Sequence, residues 1–287
     1  MKSAGPVLTV LIAILALWYA GAVWMNAQWV RDQAERAGQT VTWQQIVPET
    51  MNQSRPVLPA PHQVAVELWK AVVVTPPTSK RSLIYHAWVT LSATLLGFAI
   101  GTGAGILLAA GIVHNRAMDM SVMPWAIASQ TIPILAVAPM IIVVLNSIGI
   151  TGLVPKAIIS AYLSFFPVVV GMVKGFRSPD AMQLDLLKTY SASRMQAFWK
   201  LRLPASMPYL FASLKVGAAA ALVGTIVGEL PTGAVAGLGA RLLSGSYYGQ
   251  TVQIWAALFV AAALAAGLVV VIGMVQRVTL RRMGMLR

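Results

Sequence analysis

The side chains in this sequence that could make or break a covalent bond are few, and they are not grouped. Cysteine is absent, which removes a thiolate nucleophile, a disulfide frame and a Cys-type zinc site. His62, His86 and His114 are scattered, no HExxH occurs, and no histidine beyond residue 114 can serve a serine as general base. The Ser244-Gly245 pair stands alone, without the pattern of a nucleophile turn. There is no Gly-Lys dipeptide, hence no P-loop to cradle nucleotide phosphates. Glu229, two residues before Pro231, is the only acidic residue inside any long apolar stretch. A charge there either serves a transport pathway or caps the glycine-rich loop that follows, and residue type leaves both open.

The other chemically suggestive stretch, residues 174–207, is polar. Its pattern predicts a helix over 180–190, a Ser191-Ala192-Ser193 turn, and a second helix carrying Met195, Phe198, Trp199 and Leu201 that ends at Leu203-Pro204. Phe198 and Trp199, expected to be exposed amid Arg194, Lys200 and Arg202, suit docking into a groove of another protein. The alternative is an amphipathic helix on anionic lipid headgroups.

The elements that must position these residues are membrane helices. The chain is 58% hydrophobic and 10% charged, against roughly 25% charged in soluble domains, and its mean hydropathy is +0.74. An all-α membrane fold follows, with about six transmembrane stretches at 5–25, 89–113, 120–145, 153–173, 209–230 and 252–275, each near the ~20 residues that cross a ~30 Å hydrocarbon core. The first stretch has the basic n-region and the Ala20-Gly21-Ala22 form of a signal peptide, but its length and its Trp18, Tyr19 and Trp24 belt favour a retained helix.

The net charge of +13 fits orientation better than nucleic-acid binding, because there is no separate polar domain to carry a basic patch. Lys2, Arg116, Lys174, Arg177, Lys188, Arg194, Lys200, Arg202, Arg277, Arg281, Arg282 and Arg287 fall on one side, against Lys156 and Arg241 in the short opposite loops. Both termini are therefore expected in the cytoplasm. The domain plan is an N-terminal transmembrane helix at 1–25, a proline-punctuated periplasmic lead-in at 26–87 with one short helical pattern at Val64–Trp69, a membrane core at 88–276, and a basic tail at 277–287.

Gly97, Gly101 and Gly105 form a small-residue stripe in the second stretch, and Ala220, Gly224 and Gly228 repeat the spacing in the fifth. Such stripes let helices approach in lipid, and packing accounts for them better than a gating contact. Pro133, Pro139 and Pro167 interrupt the third and fourth stretches. Each removes a helical hydrogen bond, which either neighbouring helices re-satisfy or a wet pathway exploits.

The polar loop resembles the cytoplasmic signature of the integral-membrane permeases of binding-protein-dependent ABC importers: EAA, three residues, G, nine residues, I, one residue, LP. Anchored on Leu203-Pro204, it gives Asp185-Leu186-Leu187, then Ser191 for the glycine and Leu201 for the isoleucine, and the Ala192-Ser193-Arg194 that follows is typical of that family. Asp replaces Glu, two leucines replace the alanines, and Ser191 stands where a glycine usually permits a positive φ. Leu58-Pro59-Ala60-Pro61, the run from Thr90 through Gly97 to Gly105-Ile106, and Phe165-Phe166-Pro167 extend the likeness, closest to the nitrate, sulfonate, taurine and bicarbonate branch, which includes thiamine-pyrimidine and riboflavin-like permeases. In that branch Glu229 matches an acidic residue at the end of the same helix.

The resemblance implies a homodimer of permeases, two ATPase subunits beneath the loops that bind ATP and Mg, a periplasmic binding protein above, and alternating access between two packings. The rival is a secondary active transporter, which ordinarily shows charges inside its spans and repeated halves, neither evident in this chain. The transported solute is not legible in the residues.

Overall fold

The computed structural model describes residues 4–231 and 234–285; Lys2 and Arg287 of the orientation argument lie outside them. Every regular element among the described residues is helical. Among the described residues five helices are long and apolar enough to cross a membrane, and a bent pair can supply a sixth span. The chain divides into two compact units, residues 1–86 with 240–261, and residues 87–239 with 262–287.

In the first unit, α1 (Ala4–Arg36) carries an apolar run that ends near Met25 and continues as a polar helix for almost three more turns. Trp18 within that run packs tilted against Trp255 and stacked on Phe259, with ring centroids 5.0 and 5.9 Å away, and donates its indole N–H to Pro59 O at 2.9 Å. The lead-in is more ordered than its prolines suggest. It holds α2 (Trp43–Met51), which the sequence reading missed, and α3 (Pro61–Trp69), which runs into a π-turn, Lys70–Val74. Buried Asn26 pins the segment between them: its Nδ2 donates to Leu58 O at 2.8 Å, and its Oδ1 accepts from Val57 N at 2.7 Å.

The second unit is built around α7 (Leu153–Phe176), flanked by α4 (Leu83–His114) and α10 (Leu203–Glu229). The third apolar stretch is not one helix. It forms α5 (Arg116–Ser129) and α6 (Ile134–Ser147), bent by 99°. Pro133 lies at the break, where its missing N–H and its steric demand on Ile132 stop the helix. Each half, about 21 Å at 1.5 Å per residue, is too short to cross alone. Pro139 and Pro167, by contrast, sit inside continuous helices.

The polar loop folds as α8 (Ala181–Thr189), α9 (Arg194–Ala197) and a π-turn, Phe198–Arg202. Pro204 does not end this helix. Leu203 N donates back to Phe198 O across the π-turn, and the chain runs straight into α10. The five-residue turn places Pro204 in the first turn of α10, where a missing N–H costs little. After α11 (Leu238–Tyr247), α12 (Thr251–Arg282) carries the last apolar stretch, and Arg277, Arg281 and Arg282 ride on the same helix instead of a separate tail.

Candidate functional site

The chain turns at Ser191. Ser191 has φ 54°, the one positive φ at a non-glycine among the described residues. Ser191 N donates to Lys188 O at 2.8 Å and Ala192 N to Leu187 O at 3.0 Å, the paired bonds of a Schellman motif that satisfy the last carbonyls of α8. Ser193 then caps α9: its Oγ accepts from Gln196 N at 3.2 Å, and Gln196 Oε1 accepts from Ser193 N at 2.8 Å.

This hairpin has two faces. Leu184 and Leu187 are half-buried, whereas Met182, Leu186 and Tyr190, spaced by four, stand exposed with Met195 and Trp199. Asp185 is exposed too and pairs with Lys188 at 2.8 Å. The expectation that Phe198 and Trp199 share the outer face is corrected. Phe198 packs inward, 5.1 Å from Phe176 and 5.0 Å from His114, against the cluster of Ile112, Val169 and Met172, while Trp199 remains 59% exposed. Leu201 and Leu203 are half-buried. Arg202 Nη1 donates to Phe176 O at 2.9 Å, tying the hairpin to the end of α7, and Asp119 and Arg177 pair at 2.8 Å beside it. The ends of α4 and α7 and the starts of α5 and α10 thus meet at one end of the unit.

Glu229 lies at the opposite end, fully buried. Thr90 Oγ1 donates to its carboxylate at 2.9 Å, Gly239 N at 2.9 Å, and Lys156 Nζ at 3.4 Å; Lys156 also donates to Ala236 O at 2.9 Å, and Leu238 N to Thr90 Oγ1 at 2.8 Å. Gly237, at φ 127°, presses its backbone so close to the carboxylate that a Cβ would collide with it. These bonds tie Glu229 to the glycine-rich loop, as the capping role would require. Thr90 was the missed member of this network; a threonine at the start of an apolar stretch gives no local signal.

The small-residue stripes converge on α7. Gly97, Gly101 and Gly105 of α4 face Ser160, Ala161, Ser164 and Val168, while Gly224 and Gly228 of α10 face Ile159, Ser160 and Lys156. Ser160 Oγ donates to Ala221 O at 2.9 Å, and Thr94 Oγ1 to Thr225 Oγ1 at 2.9 Å. Close packing with short hydroxyl bonds is how helices associate in lipid.

Of the three prolines, Pro133 marks an opened backbone. Next to it Gln130 and Thr131 are exposed near the middle of the broken span, two polar residues that the sequence reading passed over.

Residues 101–285 match the family described as binding-protein-dependent transport system inner membrane component. The riboflavin transport system permease protein RibX of Chloroflexus aurantiacus is 32% identical over 78% of this chain and 80% of its own. The formylaminopyrimidine transport permease protein ThiX of Halalkalibacterium halodurans is 30% identical over 64% of this chain and 68% of its own. A chain of the inward-facing MetNI methionine ABC transporter shares the fold, with TM-score 0.52 at 22% identity over 70% of this chain and 95% of that one. The positional signature ending at Leu203-Pro204, the helical hairpin it folds into and these matches agree: the chain belongs to the binding-protein-dependent inner membrane components and is a permease subunit of an ABC importer.

Proposed function

We propose that the hairpin at residues 180–204 is the docking element for a separate ATP-binding-cassette ATPase, and that the importer holds two permease copies, two ATPases that bind ATP and Mg, and a periplasmic binding protein. The observation that carries this reading is the two-faced hairpin. Its inner side is fixed to the ends of the spans through Phe198 and Arg202, while its outer side presents Met182, Leu186, Tyr190 and Trp199, all exposed. Aromatic and methionine anchors on a rigid support are what a protein groove recognises.

A pull on that face moves the span ends as a body, the rigid-body transition that alternating access requires. The pathway runs past the α5–α6 break, a reading supported by the exposure of Gln130 and Thr131, since polar side chains persist at membrane depth only where protein or a water-filled cavity covers them. The second permease copy packs beside it. The membrane is the bacterial inner membrane, with both termini in the cytoplasm. The solute is small, and the likeness to permeases for riboflavin and formylaminopyrimidine, at 32% and 30% identity, favours a nitrogen heterocycle over an inorganic anion.

The test is co-expression of the permease with the ATPase of its gene cluster. Replacing Tyr190 and Trp199 together by alanine removes co-purification and ATP-driven uptake while the permease still inserts and folds. Undiminished co-purification of that variant refutes the docking assignment.

A further inference from the structure

Behind the coupling hairpin, on the side away from the exposed Met182, Leu186 and Tyr190, lies a cavity of about 350 Å³. Its apolar floor is Val113, Leu184, Leu187, Ala192 and Ala197; its polar lining is Lys188, Arg194, Arg202 and His114. The charge is unbalanced. Asp185 pairs with Lys188 at 2.8 Å, and Arg202 spends one N–H on Phe176 O, which leaves its other guanidinium donors and the whole of Arg194 without a carboxylate among the described ion pairs. His114 is oriented by its own contacts, with Nδ1 2.8 Å from Ala110 O and the ring against Phe198.

Position along the spans sets the depth of the cavity. Val113 and His114 close the apolar run of α4, and Arg202 immediately precedes α10, two turns before its apolar stretch, so the basic groups sit where hydrocarbon gives way to headgroups. A pocket between span ends with cations around an apolar floor has the complement of a phosphate ester carrying a hydrophobic tail, and basic pockets between transmembrane helices hold acidic headgroups in this manner. Free phosphate has the same charge but makes no use of Leu184, Leu187 and Val113.

We infer that this cavity binds a phosphate-bearing anion, met by Arg194 and Arg202 with Lys188 at the rim, and that an acidic phospholipid headgroup is the form that fills it. Because the ligand bridges α8, α9 and the end of α4, its binding stiffens the hairpin. The inference stands apart from ATPase docking, which uses the opposite face.

The experiment uses the purified full-length permease in a neutral detergent, without partners. Its melting temperature is followed on adding phosphatidylglycerol, phosphatidylcholine or inorganic phosphate, and bound lipid is counted by native mass spectrometry. Phosphatidylglycerol raises the melting temperature by several degrees and stays bound, phosphatidylcholine does not, and Arg194→Gln weakens phosphatidylglycerol binding at least threefold. Arg281→Gln with Arg282→Gln, which removes as much charge from the end of α12, leaves it unchanged. A response to inorganic phosphate equal to that to phosphatidylglycerol assigns the cavity to a free anion and overturns the lipid form. Equal binding by wild type and Arg194→Gln, or equal loss in the α12 variant, overturns the site. Arg202→Lys provides a check on folding: it keeps a charge and a donor for Phe176 O but gives up the fork that grips a phosphate.

Discussion

The hydroxyl of Thr90 reaches the carboxylate of Glu229 at 2.9 Å and so joins the first turns of α4 to the last turn of α10, across 139 residues of sequence. The carboxylate is fully buried and is held by a hydroxyl, a backbone amide and Lys156. Removing one partner from such a cluster leaves the other charge uncompensated, at a cost of about 3 kcal/mol.

The corresponding variants divide by what they leave behind. Glu229→Ala strands Lys156 and frees the loop around Ala236 and Gly237, so it loses about 3 kcal/mol of stability, and the residues after Leu230 become sensitive to protease. Thr90→Val forfeits only hydrogen bonds and loses about 1 kcal/mol, near the upper range measured between membrane helices. Thermal unfolding in detergent ranks the two, and equal melting of Glu229→Ala and wild type contradicts the anchoring role.

Ser191→Gly tests the strained turn. An L-residue in the left-handed region costs roughly 1–2 kcal/mol, and Ser191 holds φ 54° in the Schellman bonds that end α8. Glycine relieves that cost, so amide exchange across the hairpin slows by about fivefold for each ~1 kcal/mol gained. Ser191→Val acts in the opposite sense. No change in exchange for either variant means that the turn carries no strain.

The turn was legible because the motif spacing placed Ser191 where a helix stops, and the glycine stripes were legible because lipid leaves few other uses for such a pattern. The inward turn of Phe198 was not. In a regular helix neighbouring residues differ by about 100°, so Phe198 and Trp199 were free to share a face of moderate width. The π-turn from Phe198 to Arg202 shifts that phase, and it is a tertiary consequence of seating Phe198 on Phe176 and His114. It also let the helix pass Pro204, against proline's local preference. The helix α2 was hidden for a related reason: Pro48 lies inside it, and only the burial of Ile46 and Thr50 reveals its face. The Glu229 network joins residues 90, 156, 229 and 239, a pairing that no local pattern encodes.

Gly224→Val tests whether the stripe on α10 is a packing surface. A Cβ at that position would lie 2.9 Å from Ser160 Cα, which is backbone and cannot step aside. Overpacking of this kind costs about 1–3 kcal/mol, so the variant melts earlier and is recovered in lower yield. Gly103→Val, where a Cβ meets nothing within 4 Å, provides the control on α4. Equal behaviour of the two variants means that α7 and α10 do not meet at Gly224.

Orientation is tested by labelling, since the chain has no cysteine of its own. Arg177, Arg202 and the hairpin cluster at one end of the second unit and Lys156 at the other, and the end richer in basic residues is the one expected to face the cytoplasm. A cysteine at exposed Thr189 is therefore labelled by an impermeant maleimide only after permeabilisation, and cysteines at exposed Thr40 or Tyr248 are labelled in intact cells. External labelling of Thr189→Cys reverses the orientation.

The two aromatic neighbours of the hairpin differ in what holds them. Phe198 meets Phe176 and His114 at about 5 Å and lies against the core of the second unit, whereas Trp199 is 59% exposed with its indole N–H on Met195 Sδ at 3.1 Å. Truncating a half-buried phenylalanine costs about 2 kcal/mol, somewhat below the value for a fully buried one. Truncating a surface residue costs within about 0.5 kcal/mol. Phe198→Ala should lower the melting temperature of the purified permease by several degrees even with no ATPase present, and Trp199→Ala should leave it unchanged. With the ATPase added, the order reverses for a binding readout: the Trp199 variant loses association directly, and the Phe198 variant loses it only in proportion to the unfolded or displaced hairpin, so lower temperature restores it. If Trp199→Ala melts as early as Phe198→Ala without any partner, Trp199 is held by its own chain and the outer face must be drawn through Met182, Leu186 and Tyr190 alone.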